Sequence, residues 1–261
     1  MELKIKLLGT GSAGTTKNWT TSALIQVGNH NLLFDAGTGL QWALDEAGLC
    51  YLDINSIYIS HLHADHIGGL EILGFSSYFD PAYKNKPNLY IHRSLVGRLW
   101  QSLAPGMESI QNQSNDLETY FNVHKIGKNQ VFSIYDYIFK PIQVTHIVND
   151  ATHEPAFGLM ITTPEDRRIF FTSDTQHCPH QLKDFYRDAD VIFQDCETLP
   201  FCSGVHANFE ELKELDDYTK ARMYLIHYQD NVVNDLPTWQ ERAIREKFVH
   251  GFVEMGKEFT F

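Results

Sequence analysis

The stretch HLHADHIGG, from His61 to Gly69, sets three histidines and an aspartate within six residues. Imidazole nitrogen and carboxylate oxygen are ready ligands for zinc and similar divalent metals. In an extended stretch His61 and His63 point to the same side. A helix starting just behind them displaces Asp65 and His66, which can then serve a second metal. Ala64 is small, and Gly68 and Gly69 add little bulk, so the start of that helix can pack closely.

Four further candidates, Asp35, His146, Asp174 and His227, each close an apolar segment: LLFDAG, IQVTH, IFFTSD and YLIH. A lone histidine after a strand is ordinarily a satisfied structural residue. Several of them beside HLHADH read differently, because strand ends at one edge of a sandwich converge in space. His153 competes with His146, but PIQVTH has the form of a strand running into a ligand, whereas His153 falls in what reads as a loop insertion, NDATHEP. The donors include no cysteine, which suits zinc or manganese.

The elements that must position these groups alternate along the chain. MELKIKLLG reads as a strand, and SALIQVGNHNLLFDAG as a hairpin turning at Gly28-Asn29-His30-Asn31. GLQWALDEAGL has helical spacing with a glycine near its end. INSIYISH is the next strand, and IGGLEILGFSSYF a helix. Between about residues 80 and 120 the pattern is less regular. NLYIHR is a short strand, SLVGRLWQSL a helix, and GMESIQNQSNDLE a loop or partly helical lid. Its aromatics, Tyr83, Tyr90, Trp100 and Tyr120, could stack on a base or belong to the core. Then come strands in QVFSIYDYIFKPIQVTH, AFGLMITT, RRIFFTSD and ADVIFQD, a helix in NFEELKELDDYT, a strand in RMYLIHY, a helix around Trp239–Phe248 and a last strand, GKEFTF. Two successive β-rich halves predict an α/β sandwich, two sheets packed face to face with helices outside, in one domain spanning 1–261.

The chain of 261 residues is 43% apolar, enough for a sizeable core, and carries a net charge of −12. That balance argues against a grip on long nucleic acid, which normally needs a basic face. No apolar run approaches the roughly 18 residues of a membrane span, and the N-terminus does not read as a secretory signal. A cytosolic protein with free thiols at Cys50, Cys178, Cys196 and Cys202 is the expectation.

The motifs LLFDAG, HLHADH, VTH, FTSD and LIH, in this order, resemble those of the metallo-β-lactamase fold hydrolases, and KIKLLGTGSAG resembles the start of their tRNase Z-like branch. The resemblance covers essentially the whole chain and implies an αββα sandwich with a binuclear metal site at one edge. It implies His61, His63 and His146 on one ion, Asp65, His66 and His227 on the other, and Asp174 between them. Asp35 matches an aspartate that supports such sites, although a simple turn residue reads almost as well. Two ions about 3.5–4 Å apart can share a hydroxide that is nucleophilic near neutral pH, so the implied reaction is hydrolysis.

Two further motifs of that branch align with ADVIFQDCET and GVHANFEEL. They imply His206 as the acid that protonates a leaving alkoxide, with Asp195 orienting it. Asp195 stands where the branch has glutamate, so Glu197 is a near alternative. The catalytic set is then Asp65, His206 and Asp195. The branch's tRNA-gripping arm has no room here, since one loop and two strands fill the interval between His146 and Asp174. What remains resembles the small armless phosphodiesterases, such as the phage anti-Pycsar enzymes and their bacterial relatives, which open 3′,5′-cyclic nucleotides and are commonly homodimers. RNA 3′-processing, lactone or thioester hydrolysis, and a role like that of the PQQ-biosynthesis relatives are the competing readings.

Overall fold

Alternation builds the opening strand. Leu3, Ile5 and Leu7 are fully buried, while Lys4 and Lys6 stay half-buried on the other face. The computed structural model describes residues 1–82, 85–110, 112–148 and 153–261, with 153 and 154 described through their backbone only. The first large sheet runs Glu258–Thr260, Leu3–Gly9, Ser22–Val27, His30–Phe34, Ser56–Ile59, Asn88–His92 and Asn122–Ile126 from edge to edge. Its pairing is antiparallel up to His30–Phe34 and parallel beyond. The second runs Met223–Ile226, Val191–Asp195, Arg168–Phe171, His153–Thr162, Tyr137–Val148 and Phe132–Ile134. Its first three strands are parallel to one another and the rest antiparallel.

The inner faces of both sheets make one core. Phe34 from the first sheet and Phe171 from the second stack with ring centroids 5.0 Å apart, and Phe171 meets Phe193 at 4.3 Å. Helices Leu40–Glu46, Leu70–Phe79 and Val96–Met107 cover the outside of the first sheet through Leu73, Leu99 and their neighbours. Pro179–Asp188 and Leu236–Arg245 cover the second through Leu182 and Ala243. The layers are therefore the expected helix, sheet, sheet, helix. Because Phe171 lies at the contact of the two sheets, Phe171→Ala should cost about 3–5 kcal/mol. A fall in the urea midpoint at constant m-value checks this; a change below about 1 kcal/mol would deny the shared core.

Several local expectations differ from the structure. IGGLEILGFSSYF is not one helix: Ala64–Ile67 and Leu70–Phe79 are separated at Gly68–Gly69. A Cβ on Gly68 would lie 2.6 Å from the Ala64 carbonyl oxygen and 2.7 Å from Thr38 Oγ1, and the Gly69 N–H donates to the Ala36 carbonyl at 2.8 Å. The bare glycines let the 36–40 loop press against the short helix. NFEELKELDDYT likewise divides into Phe209–Leu212 and Asp217–Lys220, each begun by its own side-chain cap, Asn208 and Asp216.

His153 opens the strand His153–Thr162, in register with Val148, so it stands in a strand rather than a loop insertion; residues 149–152 of NDATHEP and the His153 side chain lie outside the described residues. GMESIQNQSNDLE contains a two-stranded ribbon, Ser109–Ile110 with Gln113–Ser114. Of the aromatics between 80 and 120, Tyr83 lies outside the described residues. Tyr120 is fully buried and donates to the Met107 carbonyl, Tyr90 stacks on Phe132 at 4.0 Å, and Trp100 packs against the first helix layer's core. All three pack against neighbouring residues. The four cysteines are unpaired, and among the described residues no helix is long and apolar enough to cross a membrane.

Candidate metal centre

The parallel strands carry their polar groups to one edge. Asp35 follows His30–Phe34, and Ser60 and His61 follow Ser56–Ile59. Asp174 and His227 come just after Arg168–Phe171 and Met223–Ile226, and Asp195 ends Val191–Asp195. His146 is placed differently. It lies inside the strand Tyr137–Val148, where the pairing register with the next strand shifts between Val144 and Ile147. Such a bulge re-aims a side chain without ending the strand. Asp35, Ser173 and His227 have φ of 58°, 54° and 60°. Left-handed backbone at non-glycine residues is costly, of order 1–3 kcal/mol each, and here it turns the chain toward the site just past three strands.

Two sets of donor atoms face each other across Asp174. In the first, His63 Nδ1 lies 3.2 Å from His61 Nε2 and 3.1 Å from His146 Nε2. Asp174 Oδ2 lies 3.5 and 3.7 Å from the same two Nε2 atoms. In the second, Asp65 Oδ2 is 3.3 Å from both His66 Nε2 and His227 Nε2. Asp174 Oδ1 is 3.2 and 3.4 Å from them. The four separations given for each set match edges of a tetrahedron whose centre is about 2.0–2.2 Å from its corners, the bond length of zinc to nitrogen or oxygen.

The far ring nitrogens explain why the near ones are free to ligate. His66 Nδ1 donates to Asp35 Oδ2 at 2.7 Å, and His146 Nδ1 donates to the Val205 carbonyl at 2.7 Å. Ser60 Oγ gives its proton to Asp35 Oδ2 at 2.7 Å and so accepts from His61 Nδ1 at 3.0 Å. Each neutral ring then turns a bare Nε2 lone pair into the cluster. His66 Nε2 is buried with no hydrogen-bond partner. Lone pairs and carboxylates converging in a buried space repel unless a cation lies between them, so the residues fit divalent metal.

The electrostatics follow. Burial opposes charge on His66, but Asp174, Asp35 and Asp65 override it and hold the imidazole well above its ordinary range. His227 is raised in the same way, chiefly by Asp174 against burial. A proton on these rings would occupy the space a cation takes, and the two compete. His61 is pushed well below its ordinary value by burial, aided by His66. For Asp174, burial is outweighed by His227, His66 and His61, which hold the carboxyl well below the usual range.

Asp35 belongs to neither donor set and accepts three bonds, from Ser60 N at 2.8 Å, Ser60 Oγ and His66 Nδ1. It orients His66 from behind. Asp35→Ala should therefore weaken metal retention or turnover about 10–100-fold without changing the donor count. Competition with a chromogenic chelator checks this, and unchanged retention would reduce Asp35 to a turn residue.

Asp195 stands behind both sets. Its Oδ2 accepts from His206 Nδ1 at 2.8 Å and from the Thr175 N–H at 2.9 Å, and its Oδ1 lies 3.3 Å from His227 Nδ1. The His206 ring lies beside His146 and His227, with centroids 5.0 and 4.9 Å away. Its side chain is 17% exposed, and its Nε2 makes no hydrogen bond among the described residues. Glu197 does not reach His206. Its Oε2 accepts from the Ser203 N–H and Asn208 Nδ2, bracing the loop that carries His206. Sequence reading missed the contact of Asp195 with His227 and the part of Ser60. A polar residue closing the apolar SIYIS was the one available signal for Ser60.

The family model described as "Anti-Pycsar protein Apyc1" matches residues 3–259. The chain is similar to the anti-Pycsar protein Apyc1 of Paenibacillus harenae, at 32% identity over 88% of this chain and 91% of that one. It is also similar to its namesake from Bacillus phage vB_BsuM-Goe3, at 29% identity over 98% and 97%. Among solved structures, the metallo-β-lactamase fold protein YhfI of Bacillus subtilis superposes with a TM-score of 0.73 over 100% of both chains, at 16% identity.

Proposed function

The chain belongs to the anti-Pycsar Apyc1 family and has the metallo-β-lactamase fold, and from that premise we propose that it is a metal-dependent phosphodiesterase hydrolysing 3′,5′-cyclic nucleotides. The observation that carries this reading is the division of Asp174, one oxygen toward each four-atom donor set, with His206 beside them. In this reading His61, His63 and His146 would hold one divalent cation and Asp65, His66 and His227 the other, with Asp174 offering an oxygen to each. The ions, zinc or manganese, would supply an activated water and offset charge growing on the phosphoryl oxygens.

The remaining work falls to the chain's own groups. A sugar oxygen leaves poorly unless it is protonated. With Nδ1–H held by Asp195, the His206 imidazolium would give its Nε2 proton to the departing oxygen and be left neutral. Burial opposes that proton, but Asp195 outweighs burial and raises the His206 pKa. An activated thioester needs no such donor, so the His206–Asp195 pair favours the phosphodiester. The acidic chain and the relatives' name, anti-Pycsar, support a cyclic nucleotide over a long RNA. The same reading makes the protein a cytoplasmic homodimer.

A substrate panel tests it: the four common 3′,5′-cyclic nucleotides, a tRNA precursor, a thioester and a lactone, each with zinc- or manganese-loaded protein. Conversion of cyclic nucleotides to monophosphates without a tRNA product is the expected result. Cleavage confined to the tRNA or the acyl substrates would overturn the assignment.

A further inference from the structure

Beside the metal centre lies a cavity of about 500 Å³ in which Asp65 is the only candidate ligand among the lining residues. Trp19 and Trp42 form one wall, their rings stacked with centroids 5.8 Å apart and planes 17° from parallel. Trp42 is 55% exposed, an uncommon state for so large an apolar ring. We propose that this cleft is the nucleobase subsite, with the base lying on the exposed Trp42 face while its phosphodiester reaches the metal centre. The proposal rests on the cyclic-nucleotide reading and deepens it.

The wall is built rather than incidental. Trp19 Nε1 donates to Glu46 Oε2 at 3.0 Å, which fixes the plane of the inner ring. The same ring lies over Gly39, where φ is +89° and an added Cβ would come within 2.9 Å of Trp19 Cε3. Only a glycine gives both that turn and that approach. Trp42 follows in the helix that Gly39 starts.

Both rims are tied to the metal-bearing segments. Thr38 Oγ1 donates to the Ala64 carbonyl at 3.1 Å, joining the cleft to the helix that carries Asp65 and His66. On the opposite rim, Asp230, three positions beyond His227, accepts from Thr16 Oγ1 at 2.6 Å and from the Thr16 N–H at 3.0 Å. The Ser12 N–H donates to the Tyr228 carbonyl at 3.1 Å. The aromatic wall is thus held at a set place relative to the second donor set, as a subsite must be.

A flat, exposed aromatic suits any base because every base has a π-face. The polar side chains near the wall are largely committed: Asn18 donates to Thr10 Oγ1 and accepts from Thr15 Oγ1, and Glu46 is bonded to Trp19. Stacking is therefore the main attraction, and it acts on substrate binding rather than on bond cleavage.

The test uses metal-loaded protein and 3′,5′-cyclic AMP, with adenosine as a probe that has the base and no phosphate. Trp42→Ala should raise KM about tenfold or more with a much smaller change in kcat, and should abolish both inhibition by adenosine and the quenching of tryptophan fluorescence that adenosine causes. Trp42→Phe, which keeps a flat ring, should restore part of each. A Trp42→Ala protein with the parent KM and the parent adenosine inhibition would overturn the subsite and leave the phosphodiesterase reading intact. If the parent protein cleaves no cyclic nucleotide, that reading fails, and adenosine quenching decides the cleft alone. Quenching sensitive to Trp42→Ala would sustain a base site, and none would overturn it.

Discussion

Asp174→Ala is expected to lose both metals and to lower hydrolysis at least about 10³-fold, the scale of removing a single preorganised electrostatic group. The size follows from position. Among the described residues Asp174 is the only one that gives an oxygen to each donor set, and it is 2% exposed. Without it His61, His63 and His146 form a neutral three-nitrogen site, and Asp65 alone offsets charge beside His66 and His227. Elemental analysis of the purified variant should show less than one bound ion per chain, against two for the parent. The variant should also lose the thermal stabilisation that added metal gives the parent, since binding only to the folded state stabilises by mass action. Full metal content with lost activity would instead make Asp174 a proton-transfer group.

His206→Ala should reduce turnover of cyclic nucleotides by about 10²–10⁴ while both metals stay bound. The loss should be much smaller on a 4-nitrophenyl phosphodiester, whose leaving group needs no proton. An equal loss on both substrates would show that His206 positions substrate or supports His146 and His227, which its ring touches. The pH profile gives an independent reading. Asp195 raises the His206 pKa in the fold, against burial, so the donor form is present below that raised value. Activity on the poor leaving group should fall as pH rises through it, and His206→Ala should erase that alkaline limb. The stability that the charged pair contributes is complete below the ordinary histidine pKa, about 6.5, and is lost as pH rises through the raised one.

Period-two alternation and the donors closing LLFDAG, IFFTSD and YLIH were enough to read the sandwich and the edge where its strands end, because burial and register force those positions. HLHADH marked the centre for the same reason: its spacing has meaning before any fold is known. Other features depend on contacts across the chain. The bulge that re-aims His146 arises in its pairing with His153–Thr162. The break at Gly68–Gly69 comes from the pressing 36–40 loop, not from helix propensity. Asp195 was read as the partner of His206, yet its second oxygen faces His227, which only the parallel pairing of Val191–Asp195 with Met223–Ile226 brings beside it. Trp19 and Trp42 share no periodic pattern, and the glycine turn at residue 39 is what brings their rings together.

The most direct measurement is hydrolysis of 3′,5′-cyclic AMP in water labelled with heavy oxygen, followed by phosphorus NMR, using metal-loaded protein and protein stripped by a chelator. The account predicts adenosine monophosphate carrying one labelled oxygen on phosphorus, formed by the loaded protein, lost on stripping and restored by zinc or manganese. No monophosphate from the loaded protein, or an undiminished rate after stripping, would contradict it.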